Sequence, residues 1–224
     1  RRELERRVDA GLNWLALAQG APEPRARRDA AAKALVEFET CRGLCEAHGF
    51  TDALGRARHN AGLAFLEVPD LGAAAREFAA ARATFEAVLA AGDARADARL
   101  LRELCAAALT CAGDCAARAD PPRPGDAARC YEAAVAEVAK MLEAAGGGGD
   151  DGGALRALLC DALLGVAVAR RDLGDDAGFR DAAGKYLGAG GDAAALPAEE
   201  AAPQRYEPWT PSDEALTLPF DLKL

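Results

Sequence analysis

The fold is decided by residues 60–81, which read NAGLAFLEVPDLGAAAREFAAA. Small and aromatic residues recur at helical spacing in both halves of this stretch, with Ala61 and Phe65 in the first half and Ala74 and Phe78 in the second. Small residues let two helix axes approach each other, and the rings fill the space between them. The stretch therefore predicts two helices joined by a turn and packed closely together.

The first half of this pattern occurs four times along the chain. Its central glycines are Gly11, Gly62, Gly113 and Gly165, which lie 51, 51 and 52 positions apart. A glycine inside a helix costs roughly 1 kcal/mol relative to alanine. Such a residue at the same place in every unit predicts close backbone contact between neighbouring helices.

A second run follows the first in each unit. These runs begin at Asp29, Gly72 and Gly125, and they place a large residue at the same offset, namely Leu35, Phe78 and Tyr131. They end near Gly49, Gly92 and Gly146, where glycine can adopt the left-handed conformation that terminates helices. In the fourth unit the large residue, Phe179, is displaced by one position. Each unit is thus predicted to be a helix, a turn, a second helix and a stop.

This pattern resembles the tetratricopeptide repeat over roughly residues 8–188, in a variant with longer helices. The spacing of about 51 residues exceeds the roughly 34 that are usual in that family. The resemblance implies an all-α fold, an α-solenoid of about four antiparallel helix pairs. We accordingly expect a helical repeat domain over residues 1–190, followed by a proline-containing extended tail over residues 191–224.

In such repeats the first helix of each pair lines a concave surface on which partners bind. The resemblance implies that the partner-binding positions here include Leu12, Leu15, His59, Leu63, Leu66, Asp114 and Arg170. The basic and amide residues with which some family members clamp a terminal carboxylate are missing, so an apolar helix or extended segment is the expected ligand. The alternative is that several of these leucines pack between helices instead.

The tail carries a different pattern. Large apolar residues occupy every second position over residues 216–224, which is the period of an extended strand. We expect the tail to dock on its own chain or on a partner, with contacts from Trp209, Leu218, Phe220 and Leu222. Its prolines and acidic residues also allow the alternative of a disordered tail.

Composition argues against several classes of function. The chain has 224 residues with 27 Lys and Arg against 36 Asp and Glu, which gives a formal charge of -9. Nucleic acid and anionic membranes are therefore poor candidates as partners. No apolar run approaches the roughly 20 residues of a membrane span, and the first residues lack the apolar core of a secretory signal.

The titratable residues give little support to catalysis or metal binding. The seven cysteines are expected to be free thiols in a reducing compartment. Cys41, Cys45 and His48 share one helix face, and Cys111 repeats this spacing with Cys115, which leaves a metal site as an alternative. The two histidines form no nucleophilic or metal-hydrolase motif, so we expect neither enzyme activity nor a cofactor.

The sequence therefore predicts a scaffold, adaptor or structural subunit that binds other proteins through its concave face and its C-terminal strip, residues 216–224. The alternative is a regulatory or co-chaperone-like repeat domain of a larger multidomain protein. Residence in the cytoplasm is expected, and the resemblance adds cytoskeletal, ciliary and organellar assemblies as further locations.

Overall fold

The computed structural model describes residues 1–92, 97–144 and 152–197, and it is helical throughout with no strand in those ranges. This confirms the prediction of an all-α fold. The helices are α1 (Arg2–Gly20), α2 (Pro24–His48), α3 (Thr51–Glu67), α4 (Leu71–Ala91), α5 (Ala98–Ala117), α6 (Pro124–Ala144), α7 (Gly152–Asp172) and α8 (Asp176–Gly188), followed by a 3-10 turn at Ala193–Ala195. None of these helices is both long and apolar enough to cross a bilayer.

The chain divides into two compact units, of which unit 1 covers Arg1–Leu101 and unit 2 begins at Arg102. In unit 1, α1 packs on α2, α2 on α3 and α3 on α4, and α1 also touches α3. In unit 2, α6 packs on α7 and α7 on α8. In these pairs, helices that follow one another in sequence are neighbours in space, as in a chain of hairpins.

Several helices begin at a capping aspartate or end at a glycine with positive φ. Asp70 accepts a 2.9 Å hydrogen bond from the backbone N–H of Ala73 and so caps α4, and Asp175 caps α8 through the N–H of Gly178 at the same distance. Gly49 and Gly92 follow α2 and α4 with φ of 71° and 64°. These two predicted stops are confirmed, whereas Gly146 lies outside the described residues.

The repeated glycines of unit 1 each face a buried phenylalanine ring. A Cβ atom built on Gly11 would lie 2.6 Å from a ring carbon of Phe38, and one on Gly62 would lie 2.7 Å from Phe78. Both distances are shorter than real carbon contacts, and both rings are at most 1% exposed. The backbone of the first helix therefore lies directly against the ring of the second.

The position of the ring in α2 differs from the prediction. We expected Leu35 to align with Phe78, but the ring that meets Gly11 is Phe38, and Leu35 is only half-buried. The reason is that α2 begins farther ahead of its ring than α4 does. Phe38 lies 14 residues after the first residue of α2, whereas Phe78 lies seven residues after the first residue of α4. The difference is about two helical turns, which are added before the ring.

In unit 2 a single aromatic ring lies against two of the repeated glycines. Tyr131 of α6 lies against Gly113 of α5 and Gly165 of α7, where added Cβ atoms would meet its ring at 2.6 Å and 2.7 Å. Phe179 is buried in the same apolar cluster. All four repeated glycines thus face an aromatic ring, which confirms the predicted close approach of the backbone.

This contact predicts opposite effects for two glycine-to-alanine substitutions. Gly62→Ala should lower the free energy of unfolding by roughly 1–3 kcal/mol, because the new methyl group overlaps the fully buried Phe78. Gly43 is the matched control, since it lies inside α2 and a Cβ there meets no atom within 4 Å. Gly43→Ala should raise the free energy of unfolding by roughly 0.5–1 kcal/mol.

Urea unfolding of both variants against the parent chain measures the two effects. Changes of the same sign and size would contradict the close contact between Gly62 and Phe78.

Candidate functional site

Unit 1 contains a groove of about 450 Å³ on the surface formed by α2, α3 and α4. We call it the α2–α3 groove. Its lining residues are Leu35, Val36, Phe38, Glu39, Thr40 and Arg42 of α2, Ala57, Arg58, Ala61 and Phe65 of α3, and Glu77 of α4. The space exists because α3 presents alanines along this side, so the longer side chains of α2 and α4 form the walls.

The floor of the groove is apolar. Ala61 and Phe65 lie one helical turn apart along α3 and give the floor its accessible apolar surface, whereas Ala57 and Phe38 border the groove from the core at only 2% and 1% exposure. Val36 stands at the edge with 64% of its surface exposed, which makes it one of the few large apolar side chains left open to solvent in the described residues. Such a surface favours an apolar ligand.

The rim of the groove is charged with both signs. Arg42 of α2 lies 2.5 Å from Glu39 and reaches Glu77 of α4 at 3.5 Å, so this ion pair bridges two walls of the groove. Arg58 donates a 3.2 Å hydrogen bond to Thr84. Partly exposed ion pairs contribute only about 0–1 kcal/mol each, so a ligand can rearrange them at little cost.

The predicted partner-binding residues of unit 1 separate into two groups. Leu15, His59 and Leu63 are buried, whereas Leu12 and Leu66 are half-buried and still present surface. The buried residues contribute to the packing of α1 and α3. A direct contact with a partner therefore stays a prediction for this set, with Leu12 and Leu66 as its accessible members.

His59 is a neutral packing residue in this structure. It is 4% exposed, its ring lies 5.3 Å from that of Phe78 in an edge-to-face arrangement, and its Nδ1 atom has no hydrogen-bond partner. Burial lowers the pKa of His59 to about 4. The imidazole is therefore uncharged at neutral pH.

The predicted residues of unit 2 occupy different surroundings. Asp114 is buried and accepts a 2.6 Å hydrogen bond from the hydroxyl group of Tyr131. Arg170 is half-buried and is bound to Glu132 of α6 and to Asp175 before α8. Arg170 thus holds together three helices of unit 2. The remaining predicted residues, Trp209, Leu218, Phe220 and Leu222, lie outside the described residues.

Two carboxyl groups of unit 2 are protonated more readily than usual. Burial raises the pKa of Asp114 to about 7, against the lowering effects of the Tyr131 hydrogen bond and of Arg118. Burial also raises the pKa of Asp161 on α7 to about 6, and its charge adds to the effect on Asp114. These two carboxyl groups therefore bind protons near neutral pH.

The cysteines are free thiols, and most of them are buried. Burial raises the pKa of Cys41 to about 12 and that of Cys45 to about 11, which keeps both protonated and weakly nucleophilic. His48 is exposed beside Phe50. Within the described ranges, no group of three or more His, Cys, Asp and Glu side chains is arranged to hold a metal ion.

In comparisons with known proteins, the chain matches no family model and no curated protein. The resemblance to tetratricopeptide repeats therefore rests on the sequence pattern alone and stays a prediction.

The α2–α3 groove was not predicted from the sequence. Its signal is the adjacent pair Leu35 and Val36, two large apolar residues of which only one can face the core in a helix. Because we aligned Leu35 with the buried ring position, this signal was missed. The contact of Gly55 with the Phe85 ring was also not predicted, since Gly55 does not belong to the repeated set.

Asp114 gives unit 2 a defined pH dependence. Its pKa is about 7 in the folded chain against an ordinary value of 3.8, so between these values the folded chain holds a proton that the unfolded chain has released. The stability that this group contributes is full below about pH 4 and is lost as the pH rises through 7.

Replacing Asp114 by Asn keeps a hydrogen-bond acceptor for Tyr131 and removes the titration. The difference in unfolding free energy between Asp114→Asn and the parent should shift in favour of the variant from pH 4 to 7, by at most roughly 4 kcal/mol. Urea unfolding at four pH values measures it. The exposed Asp120 supplies the control Asp120→Asn, and a difference for Asp114→Asn that is constant with pH would refute the prediction.

Proposed function

We propose that the chain is a protein-binding scaffold or structural subunit of a larger assembly. The observation that supports this most is the recurring contact between a helix glycine and a buried ring, which is found for Gly11, Gly62, Gly113 and Gly165. A single type of contact used in successive hairpins is typical of helical repeat proteins, whose usual activity is binding other proteins.

In this proposal the helix pairs form a solenoid of the tetratricopeptide type. The first helices of the pairs, α1, α3, α5 and α7, line its concave face. Leu12 and Leu66 contribute apolar surface there, and Arg170 contributes charge. Four of the predicted residues are buried and contribute to helix packing instead of contacting a partner directly, namely Leu15, His59, Leu63 and Asp114. The tail residues Trp209, Leu218, Phe220 and Leu222 provide a second contact.

The chemistry of the described residues also supports binding over catalysis. The neutral His59 has no polar partner on Nδ1, and the thiol groups of Cys41 and Cys45 are kept protonated by burial. We therefore propose a non-enzymatic role without a cofactor, in the cytoplasm or in a cytoskeletal, ciliary or organellar assembly.

The proposal is tested on the chain as it occurs in its native source. Size separation under non-denaturing conditions should show it together with other proteins, in particles well above the mass of the denatured chain from the same source. The variants Leu12→Glu and Leu66→Glu should reduce this association about tenfold, because each places a charge on an apolar contact worth roughly 1.4 kcal/mol.

Leu187→Glu is the matched control, since Leu187 is an exposed leucine of unit 2 that lies outside the predicted set. Thermal melting verifies that each variant is folded. The proposal would be contradicted if the native chain were found only at the mass of its own denatured form, or if all three variants lost the association equally.

A further inference from the structure

In each unit a buried titratable side chain contacts the aromatic ring that meets a repeated glycine. In unit 1 the His59 ring of α3 lies 5.3 Å from the ring of Phe78, which also contacts Gly62 of the same helix. In unit 2 the carboxyl group of Asp114 accepts the hydrogen bond of Tyr131, whose ring contacts the repeated glycines of α5 and α7. A change of charge at either group therefore acts directly on the contact that joins the helices.

The surroundings of His59 favour its uncharged form. The side chain is 4% exposed, and its Nδ1 atom is buried without a hydrogen-bond partner. Burial lowers the pKa of His59, and among the described residues no charged group of α1, α2 or α4 adds to this effect. A buried charge without a counter-charge is unfavourable, so protonation of His59 weakens the packing of α3 on α4.

The surroundings of Asp114 also favour the uncharged form, which for a carboxyl group is the protonated one. The titratable and charged groups around it are Tyr131 of α6, Asp161 of α7, and Cys111, Cys115 and Arg118 of α5. The Tyr131 hydroxyl and Arg118 favour the carboxylate, whereas burial and the charge of Asp161 oppose it. Burial is the largest of these effects and raises the pKa of Asp114, so loss of its proton weakens the packing around Tyr131.

We propose that protons act on the two units in opposite directions, so that acidification weakens the helix packing of unit 1 through His59 and strengthens that of unit 2 through Asp114. A rise in pH has the reverse effects. A partner that binds only the packed form of one unit then binds more tightly at the pH that favours this unit. The inference goes beyond the scaffold proposal, because it concerns the stability of the chain itself.

The pH range of each effect follows from the pKa values of the folded and unfolded chain. The pKa of His59 is about 4 against an ordinary 6.5, so unit 1 loses stability as the pH falls from 6.5 to 4. The pKa of Asp114 is about 7 against an ordinary 3.8, so unit 2 loses stability as the pH rises from 3.8 to 7. Between about pH 4.5 and 7, the opening equilibrium changes at most roughly 60-fold through His59 and roughly 100-fold through Asp114.

Hydrogen exchange on the purified full chain, read by mass spectrometry between about pH 4.5 and 7, tests the proposal. The rates are corrected for the intrinsic pH dependence of amide exchange. The protection of α3 and α4 should then increase with pH, because opening of unit 1 becomes rarer. The protection of α6 and α7 should decrease over the same range. Both units are measured in the same sample, so each serves as the reference for the other.

Two pairs of variants assign these effects to single residues. In His59→Leu the pH-dependent change in protection of α3 and α4 should be at least about tenfold smaller than in the parent chain. His48→Leu, at an exposed histidine, should leave that change as it is. Asp114→Asn should reduce the change in α6 and α7 similarly, and the exposed Asp120 supplies the control Asp120→Asn.

NMR titration of the chain keeps the test independent of whether the core variants fold. The chain has two histidines, whose imidazole signals are assigned with His48→Leu. His59 should be uncharged at about pH 5.5, where an ordinary imidazole is about nine-tenths protonated. The side-chain carboxyl signal of Asp114 should titrate at a pKa of about 7.

The proposal would be overturned if His59 were protonated at about pH 5.5 in the folded chain, or if Asp114 titrated like an ordinary carboxyl group. Protection that changes with pH in the same direction in both units, or equal effects of a variant and its control, would overturn it as well. None of these results bears on whether the native chain occurs in a larger assembly, so the two proposals fail independently.

Discussion

The structure depends on the contact between a helix backbone and the face of a buried aromatic ring. At Gly11, Gly62, Gly113 and Gly165 a single methyl group would overlap that ring. The contact brings two helices closer than side chains normally allow, and alanines such as Ala34, Ala74 and Ala127 maintain the same separation along the interface. Phe38, Phe78 and Tyr131 are the rings that make these contacts with the repeated glycines.

This arrangement explains why so alanine-rich a chain presents defined surfaces. Alanines on α3 leave the space of the α2–α3 groove, and Val36 stands exposed at its edge. Side chains that carry charge lie around these surfaces in ion pairs that a ligand can rearrange. The proposed binding functions follow from where small and large residues are placed.

Much of the fold was predictable because it depends on local patterns. Helical spacing, glycine stops such as Gly49 and the recurrence of Gly62 at equal intervals are all visible in one dimension. The alignment of α2 was predicted wrongly, since a pattern of alanines repeats every turn and does not show that two additional turns precede Phe38. The burial of His59 and Asp114 was also hidden, because a helical pattern does not show how many sides of a helix are covered. The α2–α3 groove was not predictable because side chains from three helices form it, and the sequence does not show how those helices pack.

The most direct test of the central contact is a double-mutant cycle on the ring that serves two glycines. Tyr131→Leu removes the ring, and Gly113→Ala and Gly165→Ala each add a methyl group against it. We predict that each alanine costs roughly 1–3 kcal/mol of unfolding free energy in the parent chain, and substantially less or nothing in the Tyr131→Leu background. Costs that simply add in the double variants would show that the ring does not require the glycines, and would contradict the central role of this contact.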